Sequence, residues 1–251
     1  MEHAKILLIG AGGLGVFFAS RLAFAGAETA VVARHDFAAA SAGGYEVNDR
    51  GTVSRYVPDY VIRSAAECPF VPDYVLITAK VLPGAEPSVL TAGMPCSRNT
   101  VIVLIQNGIG IENAAAEVFP DNELLSAVAY LCASRPESGK VINTGPGRLE
   151  MGSFPAGKPS VRAERLAELF EKGGAPCRLL ENVQTARWRK LLWNAPFNPV
   201  SVLAGGADTG RICNDPELTG LCLELMYEVI AAAECAKTQY RPLLVDVRAA
   251  M

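Results

Sequence analysis

The stretch from Lys5 to Gly15 reads KILLIGAGGLG, an apolar run that breaks into Gly10, Gly12 and Gly15 with the spacing G-x-G-x-x-G. The run ending at Ile9 is apolar on both faces, as a strand inside a parallel sheet must be, and Leu14 to Ala25 continues as a helix that begins within the glycines. Strand, turn and helix in that order predict the phosphate-binding turn of a dinucleotide fold. Gly10 permits the tight turn, Gly12 removes the Cβ that a pyrophosphate would meet, and Gly15 lets the helix pack close to the sheet. The free N–H groups and the positive dipole end of that helix then face the phosphates. The alternative is a βα turn that is glycine-rich for steric reasons alone.

A second strand, Thr29 to Ala33, ends at Arg34. In a dinucleotide fold this strand end lies beside the adenosine ribose, where an acidic side chain would bond the 2′-hydroxyl of NAD. A cation comes first here, and a guanidinium pairs bidentately with a 2′-phosphate, which favours NADPH. Asp36, two residues on, keeps NAD open as the alternative.

The 251 residues are half hydrophobic, enough for one large domain with a smaller companion. A net charge of −3 without a basic block leaves no footprint for nucleic acid. Neither a cleavable leader nor a stretch of membrane-spanning length is present, so a cytoplasmic protein without membrane association is expected. Seven scattered cysteines without C-x-x-C spacing imply reduced, mostly buried thiols and no metal site. Only His3 and His35 are histidines, so a proton donor of another type is needed.

The α/β pattern continues along the chain. Tyr45 to Val53 reads as a hairpin turning at Asn48 to Gly51, and Tyr74 to Thr78 and Thr100 to Ile105 as further strands. Lys80 and Asn107 follow the carboxyl ends of those two strands, where open parallel sheets bind ligands; a turn-forming role is the alternative for each. Leu124 to Cys132, Lys140 to Asn143 and Arg148 to Gly152 read as strands, Val161 to Lys172 as an amphipathic helix stopped by Gly173, and Cys177 to Leu180 as a last strand. Residues 1–181 are therefore expected to form a Rossmann-type α/β domain with a doubly wound sheet, and 182–251 a smaller all-helical one.

Within the helical part, Arg187 to Pro199 reads RWRKLLWNAPFNP. Lys190, Asn194 and Asn198 recur every four residues and form one polar stripe, while Leu191, Leu192 and Ala195 can pack. Amide side chains suit the orientation of a small polar ligand, and Pro196 and Pro199 should bend the helix. The alternative is a surface lysine with asparagines paired to loops.

Taken together and in order, GAGGLG (10–15), Arg34, ITAK (77–80), QNGIG (106–110), NTGPG (143–147) and RWRKLLWNAPFNP (187–199) resemble the 2-dehydropantoate 2-reductase, or ketopantoate reductase, family over almost the whole chain. The resemblance implies NADPH and ketopantoate bound in the cleft between a Rossmann domain and an all-helical domain. It implies that Gly10 to Gly15, Arg34, Lys80 and Ala133 hold NADPH and that Asn107 contacts both ligands. Lys190 corresponds to the family's catalytic lysine, with Asn194 and Asn198 binding substrate. The family normally continues beyond Met251, so Val245 to Met251 is expected to be a helix cut short and the second domain truncated.

The chemistry agrees. Reduction of a 2-oxo acid needs a hydride at the carbonyl carbon and a donor that polarises, then protonates, the oxygen, and the Lys190 ammonium can do both. Reduction of another small 2-oxo or 3-oxo acid, or an NADP-binding module without catalysis, are the alternatives. Apolar helix faces in the second part are compatible with a homodimer.

Overall fold

The computed structural model describes residues 3–236 and divides the chain into two compact units, residues 1–183 and 184–251. The expected truncated helix at Val245 to Met251 lies outside the described residues.

The first unit is built on β1 (Lys5–Ile9), β2 (Glu28–Val32), β5 (Tyr60–Ile62), β6 (Tyr74–Ile77), β7 (Val101–Leu104), β8 (Leu124–Tyr130), β11 (Arg148–Phe154) and β12 (Cys177–Leu179). They form one sheet in the order β12-β11-β8-β7-β6-β1-β2-β5. Every pairing is parallel except that of β11 with β8. All residues of β6 and β7 are buried, as strands covered on both faces must be. The chain leaves β1 for β2 on one side and later returns to β6 on the other, so the order reverses at the carboxyl end of β1. That reversal is where an open α/β sheet has its binding crevice.

Helix α1 (Gly13–Phe24) covers one face, burying Val16, Phe17, Phe18, Ala19 and Leu22 completely. Each phenylalanine so buried stabilises the unit by about 1.5–3 kcal/mol. Phe18 meets Phe170 of α5 (Val161–Lys172) edge-on, 5.9 Å between ring centres. The start of α5 is set by Ser160, whose Oγ accepts the Ala163 N–H at 3.0 Å. Two further helices, α2 (Phe37–Gly43) and α4 (Ile111–Val118), flank a short α3 (Pro87–Leu90) in chain order. The opposite sheet face carries a second core in which Ile9, Val75, Ile102 and Leu104 pack with Ala115 of α4.

The expected hairpin is β3 (Tyr45–Asp49) and β4 (Thr52–Tyr56), three residues longer than anticipated and joined through Arg50 and Gly51, both at positive φ. From sequence the later strands have no assigned partners, and the sheets assign them across long chain separations. The strand read over Leu124 to Cys132 is β8, which ends two residues early at Tyr130, after which the chain crosses to a separate sheet as β9 (Ala133–Ser134). Likewise Lys140–Asn143 (β10) and β11 flank the turn at residues 144–147 without pairing, because β10 joins β3 in parallel and completes a second sheet, β4-β3-β10-β9. Local periodicity shows that a segment is extended, and partners far along the chain then decide its sheet.

The second unit begins at α6 (Val183–Leu203), which runs unbroken across Pro196 and Pro199, followed by α7 (Thr209–Asn214) and α8 (Pro216–Cys235). Asp208 and Asp215 cap the last two, each carboxylate accepting main-chain N–H groups. The thiols differ from the expectation: Cys68, Cys177 and Cys222 are buried, whereas Cys96, Cys132, Cys213 and Cys235 are exposed. Among the described residues, no helix is long and apolar enough to cross a membrane, and no group of His, Cys, Asp or Glu could hold a metal ion.

Candidate functional site

The glycine turn sits at the crevice, and each of its glycines answers a different steric demand. Gly10 has φ +111°, and a Cβ there would stand 2.4 Å from the Ala79 nitrogen. A Cβ on Gly15 would lie 2.2 Å from the Gly10 carbonyl oxygen and 2.4 Å from Thr78 Oγ1. A Cβ on Gly12 would meet nothing within 4 Å. The first and third glycines therefore close the turn on β6, and the second faces open space. Helix α1 has no side chain capping its N-terminus and no acidic residue in its first turn, so its N–H groups and dipole remain available to an anion.

Thr78, which the sequence reading did not single out, anchors the turn by donating from Oγ1 to the Gly10 carbonyl at 2.6 Å. Gln106 joins the ends of β6 and β7 through Nε2 to the Ala79 carbonyl, also 2.6 Å. Both follow from strand adjacency, which no local pattern displays.

Beyond the turn opens a cleft of about 470 Å³, lined by Gly10, Ala11, Gly12, Arg34 and Lys80 of the expected cofactor residues. Arg34 and Lys80 are exposed at the ends of β2 and β6. Ala133 lies beside the helix start, its Cβ 3.2 Å from where a Cβ on Gly13 would stand. The crossing of the chain to β9 brings it there. Asn107 is exposed past β7, and Leu14 and Gly15 lie within the first turns of α1.

The charges at the end of β2 have a definite arrangement. Asp36 is buried, and its carboxylate is paired with Arg135 from the segment after β9. Arg135 also donates through Nη1 to the Ala11 carbonyl at 3.2 Å, linking the glycine turn to the β2–α2 connection. Asp36 is thus neutralised, whereas Arg34 has no ion pair among the described residues. Arg63, just after β5, lines the same cleft. Neither Arg63 nor Arg135 was foreseen; Tyr60 to Ile62 is too short for periodicity to mark as a strand, and Arg135 depends on a long-range pairing.

The NTGPG segment has an internal role. Asn143 is fully buried, with Oδ1 accepting from Gly145 N–H (2.9 Å) and Cys132 N–H (3.3 Å). Its Nδ2 donates to Asp49 Oδ1 (2.9 Å) and the Gly145 carbonyl (3.0 Å). All four bonding positions of the amide are used, and they hold the turn after β10 against the hairpin.

In the second unit, Lys190, Asn194 and Asn198 share one face of α6, the first two half-buried and the third exposed. Leu192, Pro196 and Val200, two positions further along at each step, are buried. Two residues rotate a helix by about 200°, so the polar stripe and the buried stripe lie on opposite sides. Trp193 and Phe197 stack one turn apart, 4.1 Å between ring centres.

The profile of the family described as Ketopantoate reductase PanE/ApbA matches residues 6–156, and that of Ketopantoate reductase PanE/ApbA C terminal matches residues 182–249. The chain belongs to this family. It is 25% identical over 242 residues to a 2-dehydropantoate 2-reductase of Nostoc sp., covering 93% of this chain and 74% of that protein. The crystal structure of 2-dehydropantoate 2-reductase from Methylococcus capsulatus is similar at 37% identity and a TM-score of 0.86, over 98% of this chain and 79% of that one. At 18% identity, a ternary structure of D-mandelate dehydrogenase with NADH and anilino(oxo)acetate shares the fold, with a TM-score of 0.86 over 97% of this chain and 78% of that chain.

Proposed function

We propose that the chain is a reductase that uses NADPH to convert 2-dehydropantoate (ketopantoate) to pantoate, a step of pantothenate and coenzyme A synthesis. The observation that carries this reading is the match of both family profiles, with the nucleotide turn in one part and the Lys190, Asn194 and Asn198 stripe in the other. The nucleotide turn fits a dinucleotide: the space over Gly12 is open and the start of α1 is free of capping acids. The choice of NADPH over NADH is supported by an exposed Arg34 beside an Asp36 already paired with Arg135.

Gly10 to Gly15, Arg34, Lys80, Asn107 and Ala133 hold the cofactor in this reading, with residues 1–181 as the cofactor domain and 182–251 as the substrate domain. When bound, the reduced nicotinamide supplies the hydride. Lys190 keeps a proton on Nζ, stabilises the negative charge that develops on the carbonyl oxygen, and delivers that proton to it. Asn194 and Asn198, with Asn107, orient the carboxylate and hydroxyl of the 2-oxo acid, which converts binding energy into alignment. The test is oxidation of NADPH with ketopantoate against a panel of 2-oxo and 3-oxo acids. Turnover strongest with ketopantoate supports the reading; turnover confined to a different acid, or tight NADPH binding with no turnover on any, overturns it.

A further inference from the structure

Arg63 belongs to none of the motifs quoted above, yet it stands where the adenosine end of a dinucleotide would lie. β5 pairs with β2 in parallel, Val32 opposite Ile62, and the Ala33 N–H donates to the Ile62 carbonyl at 2.9 Å. Arg34 and Arg63 therefore emerge from the carboxyl ends of adjacent strands, both exposed and both lining the same cleft. The Arg63 guanidinium lies 3.8 Å from the centre of the Phe37 ring, and the Phe37 N–H reaches back to the Arg34 carbonyl at 3.4 Å. One turn of chain thus presents Arg34 and the aromatic platform beneath Arg63.

We propose that Arg63 is a second guanidinium for the 2′-phosphate of NADPH, acting with Arg34, and that Phe37 positions it; this rests on the NADPH reading above. The two nearby carboxylates are engaged elsewhere. Asp36 is paired with Arg135. Glu67 accepts the Arg63 main-chain N–H at 3.1 Å and the Ser64 hydroxyl at 3.0 Å, and these bonds, the Arg63 N–H first, hold its acid below the usual carboxylate range. Glu67 so fixes the Arg63 backbone, and although its charge also acts on the guanidinium the two form no ion pair among the described residues, which leaves the guanidinium open to an outside anion. A phosphate monoester has three strong acceptor oxygens, of which one planar fork satisfies two. A ribose 2′-hydroxyl gives a second cation nothing comparable. Stacking on Phe37 fixes the plane of Arg63 before a ligand arrives, so less side-chain freedom is lost on binding.

The experiment measures equilibrium binding of NADPH, NADH and adenosine 2′,5′-bisphosphate to the unmodified protein and to R63A, R63K, F37L and R34A, with unfolding temperature recorded for each. R63A should raise the Kd for NADPH and for the bisphosphate about tenfold while changing that for NADH less than about twofold, the size expected for one charge-assisted pair. R63K should recover part of the loss, and F37L should give a smaller loss with the same selectivity. Equal weakening of NADPH and NADH by R63A overturns the proposal, because Arg63 then meets the adenosine that both share. No effect of R63A, with R34A selectively impaired, overturns it and leaves the NADPH reading standing. An unmodified protein that binds NADPH no tighter than NADH ends both.

Discussion

Alanine at Gly12 and at Gly15 should separate the two demands that the nucleotide turn satisfies. A methyl group on Gly15 would sit 2.2 Å from a main-chain carbonyl and 2.4 Å from Thr78 Oγ1, and the carbonyl belongs to a turn held by β1 and β6. Such overpacking against backbone costs about 3 kcal/mol. For a protein of this size that lowers the midpoint of thermal unfolding by about 6–12 °C. The start of α1 must also shift, so NADPH binding falls with stability. At Gly12 a methyl group meets no protein atom within 4 Å, and the backbone is extended at φ −79°, which alanine adopts freely. Its loss as a helix N-cap, up to about 1 kcal/mol, is offset by about 0.4–1 kcal/mol from the stiffer unfolded chain. Gly12→Ala should therefore unfold within about 2 °C of the parent. Its Kd for NADPH should nonetheless rise at least about tenfold, because the methyl occupies the space through which the phosphates approach. Differential scanning calorimetry and titration with NADPH read the two quantities independently. Unchanged NADPH affinity in Gly12→Ala would remove the open face of the turn from the binding site, and an unchanged unfolding temperature in Gly15→Ala would show that the close approach carries no energetic weight.

Lys190→Ala should lower kcat by more than about 100-fold while leaving the Kd for NADPH within about threefold, since a proton donor acts in the reaction and not on the nucleotide; comparable losses in both would contradict that role. Arg135→Ala leaves the Asp36 carboxylate buried without its cation and should destabilise by about 3 kcal/mol, most of it regained in the double variant with Asp36→Asn; additive losses in thermal melts would refute the coupling. Burial raises the Cys177 thiol and the Tyr74 phenol to about 12, so the folded chain keeps protons that the unfolded chain releases. Their stabilisation is complete below the ordinary thiol value of 9.0 and is lost as pH rises towards about 12, and denaturant midpoints for Cys177→Ala should fall less steeply over that interval. A thiol-specific chromogenic reagent should titrate the four exposed cysteines rapidly in the folded protein and all seven after unfolding.

Strands β1, β2, β6 and β7 were legible to within a residue at either end, and α5 matched over its whole length, because each buries a continuous apolar run or stripe; β4 ran three residues past the reading and the three-residue β5 was missed. The four-stranded sheet was not legible. Its strands come from residues 45–56 and 133–143, and a two-residue element such as Ala133–Ser134 carries no periodicity. The candidate site divides in the same way. Arg34 and Lys80 could be placed from the strand ends that precede them, whereas Thr78 as an anchor, Arg135 as the partner of Asp36, and Arg63 on its Phe37 platform depend on neighbours brought together by sheet order.

The amino-acid sequence alone determined the phosphate turn, since three glycines after a buried strand and before a helix leave the backbone one economical path, and it determined the spacing that aligns Lys190, Asn194 and Asn198 on one helical face. Tertiary structure decided which of these glycines faces open space and which is pressed against β6, and which charge at the end of β2 is left exposed. The physical reason is range. A helix or a turn is specified by side chains within a few residues of one another, whereas the steric pressure on Gly10 and the pairing of Asp36 come from Ala79 and Arg135, which reach those positions only when the sheets assemble.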